Sequence, residues 1–162
     1  MSELAAIQWT DSSSTPGWSD EVTYVTKQSF SGVQHLRESF TLGEENRAAK
    51  EELFDVSEDC AEPDWDGYGA EPVDIETYRK AFNFIDALPT GYPKPEIDAE
   101  SDGHVTFDWH RSPRYTLSVS VSPDGYLYWS ALLGPRKLNG SEPFLNGIPS
   151  ELLQLVLAVK GT

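Results

Sequence analysis

One cysteine, few basic side chains and no long apolar run set the first limits on this 162-residue chain. Cys60 has no second thiol to pair with, so an internal disulfide is excluded and a reducing compartment is expected. The longest apolar stretch, Leu152 to Val159, is interrupted by Gln154 and reaches about half of the roughly 20 residues a membrane span needs. Met1 to Thr10 has neither a basic start nor a long apolar stretch, so no secretory leader is expected. These absences together predict a cytoplasmic protein with no membrane partner. Lysine and arginine number 12 against 27 acidic residues, giving a formal charge of −15. A field of that sign repels phosphates, so direct nucleic-acid binding is not expected.

What is present is enough to build a core. Hydrophobic residues make up 38% of the chain and aromatics 12%, with five tryptophans. One domain of ordinary size is expected, with an appended arm. The charge is unevenly spread. From Glu38 to Glu76 there are 14 acidic residues against only Arg47 and Lys50, a net of −12 in 39 residues. The flanking segments net −2 and −1. One acidic third is joined to two nearly neutral ones.

Residues 1–43 are polar and irregular, with a Ser/Thr cluster from Asp11 to Thr15 and a short alternating piece from Val22 to Thr26; they read as an arm or edge strand. The α+β domain occupies 44–162. Its first element is a helix over Glu44–Ser57, with Glu44 and Glu45 at the positive end of its dipole and Ala49, Leu53 and Val56 on one side beside Phe54. The Pro63–Pro72 stretch is a loop completing the acidic segment 44–73. Asp74 caps a second helix ending at Leu88-Pro89, in which Ile75, Tyr78, Phe82 and Ile85 recur at helical spacing. Four strands follow, Glu96–Glu100, His104–His110, Tyr115–Val121 and Tyr126–Leu133, joined by turn sequences such as Asp102-Gly103 and Asp124-Gly125.

Strict alternation in the second and third strands predicts one buried face, carrying Val105, Phe107, Trp109, Leu117 and Val119. The fourth strand is apolar on both sides and is expected to lie under another element or in an interface. Arg136 and Lys137, after Gly134-Pro135, read as loop charges. A last helix begins at Pro149 or Ser150 and runs over 149–160, with Leu152, Leu153, Val156 and Val159 on its apolar face. The expected fold class is therefore α+β: a four-stranded antiparallel meander packed on one face by helices, with an N-terminal arm.

Chemistry-bearing constellations are scarce. Asp64-Trp65-Asp66-Gly67-Tyr68-Gly69 invites a calcium loop. Setting Asp64, Asp66 and Gly67 at the third, fifth and sixth positions of an EF-hand puts Val73 where a bidentate Glu is required. The residues fit better as an aromatic-anchored loop, with Trp65 and Tyr68 in the core. Cys60 sits among carboxylates, which raise a thiol's pKa and make a poor nucleophile. His104 and His110 share a strand face with Asp108 but stand about 20 Å apart, too far for one metal ion. Gly67-Tyr68-Gly69 lacks the third glycine and the basic residue of a phosphate loop. No cofactor, metal or catalytic residue is expected.

From Trp65 to Trp129 the chain resembles a group of small, uncharacterised bacterial proteins. The likeness rests on the Trp65-Asp66-Gly67-Tyr68-Gly69-Ala70 loop with Pro72, the helix ending at Leu88-Pro89, the Asp102-Gly103 turn, Trp109 and the Leu117-Ser118-Val119 strand. The resemblance implies genes in mobile or defence-related neighbourhoods. It brings no established activity and no functional residues.

The leading expectation is a non-enzymatic acidic interaction protein. It is an inhibitor of the antitoxin, anti-CRISPR or nucleic-acid-mimic kind, occupying a basic surface of a protein or nucleoprotein complex. The residues expected to meet that partner are Glu44, Glu45, Glu51, Glu52, Asp55, Glu58, Asp59, Asp64 and Asp66. Among them Glu44, Glu51, Asp55 and Glu58 return to one helix side through steps of seven, four and three. An accessory subunit of a bacterial defence or regulatory assembly is the alternative, with a small hydrolase-like enzyme third.

Overall fold

The structure, a computed structural model, describes residues 43–145 and 147–161. The expected N-terminal arm, with its alternating piece Val22–Thr26, lies outside them except for Gly43. Helix α1 covers 43–59. Its chain turns out where the Cys60 N–H donates to the Val56 carbonyl at 3.0 Å and Val73 N–H donates back to Cys60 at 3.0 Å. Helix α2 is Ile75–Ala87, and Asp74 caps it as expected, its carboxylate accepting from the Thr77 N–H at 2.7 Å. Helix α3 is Ser150–Lys160, closed by Gly161 in the left-handed region (φ 79°).

Between the second and third helices runs an antiparallel sheet in the simplest order, β1-β2-β3-β4-β5. Its strands are β1 (Glu96–Ala99), β2 (Val105–Ser112), β3 (Tyr115–Val121), β4 (Tyr126–Leu133) and β5 (Arg136–Pro143). The meander is thus real but has five strands, not four. Arg136 and Lys137 begin β5, where Arg136 pairs with Leu133 and Lys137 with Leu132. The strand lacks apolar alternation because it is an edge, half-exposed along its length, so the hydrophobic pattern carries no signal for it. Gly140 sits opposite Trp129, and a Cβ there would fall 2.7 Å from the indole ring. The glycine is the space into which Trp129 lies.

Helices α2 and α3 cover one face of the sheet, over β2 and β3, and α3 reaches β4. Val105, Phe107, Trp109, Leu117 and Val119 are all buried on that face, as the alternation predicted. Phe84 of α2 stacks on Phe107 with ring centres 4.6 Å apart, and Phe144 meets Phe84 edge-on at 5.8 Å. Ala49, Leu53 and Cys60 of the α1 segment join the same core.

Two expectations need correction. The buried stripe of α2 is Thr77, Ala81, Phe84 and Ile85, so the helix is rotated and Ile75 is left 75% exposed. Five apolar side chains are too many for one stripe; the sheet takes the set containing Phe84. On β4, Leu127, Trp129 and Ala131 are buried, whereas Tyr126 and Tyr128 are each 43% exposed on the opposite face, so no described element covers that side and of the two expected alternatives only the interface is left open. Phenolic side chains tolerate that position because their hydroxyls stay in water.

Candidate functional site

Every acid of α1 is placed by the helix period around one buried seam. With Ala49, Leu53 and Cys60 inward, the opposite side carries Glu44, Glu51, Asp55, Glu58 and Asp59, all exposed. This ridge is the common side expected from the spacing. Its two halves differ in charge balance. In the first, Arg47 lies between Glu44 (2.7 Å) and Glu51 (2.5 Å), a surface pair of bridges that offsets part of the local field and raises the guanidinium pKa, the Glu44 hydrogen bond contributing most. In the second, Asp55, Glu58 and Asp59 have no ion pair among the described residues. They also sit in the last turns of the helix, where the macrodipole is negative and further negative charge is unfavourable.

Glu45 and Glu52 flank the ridge, half-buried. Glu52 is spoken for: its carboxylate accepts from the Ile97 N–H at 3.0 Å and pairs with Lys94. It thereby covers the open edge of β1, a donor that an edge strand leaves bare. Beyond it the acidic surface continues onto the sheet through Glu96 and Asp98, with Asp108 on β2 beside Glu96 in register. The Asp98 carboxyl is held above its ordinary value of 3.8, by partial burial first and then by the negative charges of Asp108, Glu52 and Glu96.

A raised carboxyl pKa means the unfolded chain ionises first. Asp98 therefore favours the fold while protonated, and that advantage is lost as pH rises through the unfolded and then the folded value. Asp98→Asn is expected to raise the melting temperature near pH 7 and to leave it unchanged near pH 3, about a unit below the unfolded pKa. Thermal melts at the two pH values check it; an equal shift at both would show that charge is not the cause.

Asp64 and Asp66 are brought to a different task from the ridge. Asp64 adopts a left-handed backbone (φ 65°), and its carboxylate accepts from the Gly69 N–H at 2.6 Å. Asp66 accepts from Tyr68 N–H (2.8 Å) and Ala70 N–H (3.1 Å). Both carboxylates satisfy the backbone of their own tight loop, in which Gly67 (φ 74°) and Gly69 (φ 91°) supply angles other residues resist. Trp65 is half-buried against the core and its indole N–H donates to the Glu71 carbonyl at 3.1 Å. Tyr68 is not an anchor: it projects into solvent, 94% exposed. With one of the two aromatics inserted, and only partly, Trp65→Ala is expected to cost about 2 kcal/mol. Urea unfolding measures this, and an unchanged midpoint would mean that the loop is held by its hydrogen bonds alone.

The remaining candidates are separated. His110 lies 3.5 Å from Glu96 and His104 3.6 Å from Asp102, while Asp108 accepts a hydrogen bond from the Ser118 hydroxyl. Asp108 and His110 do not meet. Cys60 is buried, and its thiol pKa is raised by that burial first, then by Asp59 and Asp98. Among the described residues no three His, Cys, Asp or Glu side chains are placed to hold a metal ion.

One feature beside the ridge was not legible from residue spacing. Phe54 is 50% exposed on the flank of α1 that faces α2, and with Val73, Ile75 and Tyr78 it lines a groove of 330 Å³. The surplus apolar residues of α2 are its only trace in the sequence. No protein-family model, curated protein or solved structure matches the chain. Among the described residues no helix is long and apolar enough to cross a membrane.

Proposed function

We propose that this chain is a non-enzymatic interaction protein whose α1 ridge occupies a basic surface of a protein or nucleoprotein partner, inhibiting it by standing where nucleic acid binds. The observation that carries the reading is the cluster of Asp55, Glu58 and Asp59: exposed, without cations among the described residues, and set against the helix dipole. A solubilising charge can sit anywhere on a surface. Charge concentrated where it costs the fold stability has a use outside the fold. Beyond Glu52, which Lys94 neutralises, the acidic surface continues over β1 through Glu96 and Asp98, giving the partner a broader negative face.

A second reading, an accessory subunit held through the open sheet face, is favoured by the half-exposed Tyr126 and Tyr128, whose rings stack 6.3 Å apart.

Salt separates the two. Partners retained on the immobilised protein near 0.05 M salt and released by about 0.5 M are held by charge, since the screening length falls about threefold over that range. A partner that stays bound throughout, and that the double change Tyr126→Ser, Tyr128→Ser releases, would favour the subunit reading instead.

A further inference from the structure

An acidic ridge alone attracts any basic surface and selects none of them. The groove beside it supplies what the ridge lacks. Helix α2 carries two apolar stripes. One, with Thr77, Ala81, Phe84 and Ile85, is used on the sheet; the other, Ile75, Tyr78 and Phe82, faces α1. Its far end is closed. The Lys50 ammonium lies 4.4 Å from the Phe82 ring centre and bridges to Asp86 at 2.5 Å, while Tyr78 leans on Phe82 with centres 6.3 Å apart. The near end is open: Ile75 and Phe54 stand exposed on either side of a cleft floored by Val73 and Tyr78. Single exposed apolar side chains are ordinary, but two large ones lining the same concavity are not.

The border of this cleft has one sign. On α1, Glu51 and Glu58 lie one turn to either side of Phe54, and Asp55 stands further round the helix on the exposed ridge. Ser57 and Asp74 complete the rim. The nearby cations are engaged: Arg79 with Glu76 at 2.6 Å, Arg47 with Glu44 and Glu51, and Lys50 with Asp86. An apolar cleft inside an acidic rim is complementary to one kind of occupant, a basic polypeptide segment that carries a large aliphatic or aromatic side chain among its lysines and arginines.

We propose that the α1–α2 groove is the specificity site for such a segment: its apolar anchor enters between Phe54 and Ile75 while its cations lie on Glu51, Asp55 and Glu58. The inference rests on the reading of the ridge as a surface for a basic partner and adds the chemistry that partner must carry. The two parts act on different steps. Carboxylates accelerate encounter, and the anchored side chain slows departure.

Two synthetic lysine-rich peptides of equal charge test it, one with a central serine and its twin with a central leucine. Binding is measured at low salt to the full-length protein and to Ile75→Ser, whose exposed position leaves folding intact, as a melting curve verifies. Partial burial of one leucine corresponds to about tenfold in affinity, so the leucine peptide is expected to bind the wild type about tenfold tighter than the serine peptide. On Ile75→Ser the two peptides should bind alike, and Asp55→Asn with Glu58→Gln should weaken both by a similar factor. In NMR spectra of the wild type the Ile75 methyl resonance should move with the leucine peptide alone. A leucine peptide with no advantage, or one that keeps its advantage on Ile75→Ser, overturns the groove while leaving the acidic surface standing. Failure of both peptides to bind the wild type overturns the groove and the acidic reading together.

Discussion

Trp109→Ala is expected to destabilise the domain by about 4 kcal/mol, a large share of the roughly 5 to 15 kcal/mol that an ordinary domain has. Trp109 stands in β2, 1% exposed, with Leu117 of β3 as its register partner. Its loss opens a large cavity under the helices and removes a second interaction. The indole N–H donates to the Pro93 carbonyl at 2.7 Å, tying the segment that leads from α2 into β1 to the sheet. Trp109→Phe keeps most of the volume and drops the hydrogen bond, so about 1 to 2 kcal/mol should be lost. Urea titrations of both variants separate packing from hydrogen bonding. A loss below about 1.5 kcal/mol for the alanine variant would mean that the core collapses around the gap and is less specified than its burial implies.

The second large effect lies on the ridge. Replacing Asp55, Glu58 and Asp59 with Asn, Gln and Asn removes three carboxylates that no cation among the described residues offsets. Association with a basic partner is expected to slow about tenfold at low salt, because long-range attraction raises encounter rates by that order or more. The same variant should be slightly more stable than the wild type, by roughly a few tenths of a kcal/mol per residue, as unfavourable dipole interactions disappear. Replacing Glu44 and Glu51 instead removes two charges rather than three, so association should slow less, and it breaks both bridges to Arg47, so no gain in stability is expected. A gain in stability paired with a loss in association rate distinguishes a functional charge from a structural one.

Much of the fold is written in local pattern. β3 and β4 have the bounds that alternation and turn residues define, because each strand has one face in the core and a tight glycine turn at its end. α2 is delimited by chemistry that acts within three residues, the Asp74 cap at its start and Pro89 beyond its end. β5 has no such signature. It is defined by the pairing it makes with β4 and by the hollow Gly140 leaves for Trp129, both properties of the partner strand.

The site divides along the same line. The Glu44, Glu51, Asp55 and Glu58 ridge follows from helical period alone. Whether each acid has a cation depends on neighbours: Arg47 is local, but Lys94 reaches Glu52 from 42 residues away. Asp64 and Asp66 remain charges at the surface, and the loop geometry also turns their carboxylates onto backbone N–H groups, which residue spacing does not show. The groove depends on the rotation of α2 against α1, which a single helix's pattern leaves open when it holds five apolar candidates.

The measurement closest to the central claim is the association rate of one captured basic partner with wild type and with the Asp55, Glu58 and Asp59 triple variant, followed from about 0.05 M to 0.5 M salt. Wild-type association should fall at least tenfold over that range, and the variant should start slower and vary much less, the two converging at high salt. Equal rates for both proteins at every salt concentration would contradict the reading of α1 as a binding surface and leave its acids as solubilising charge.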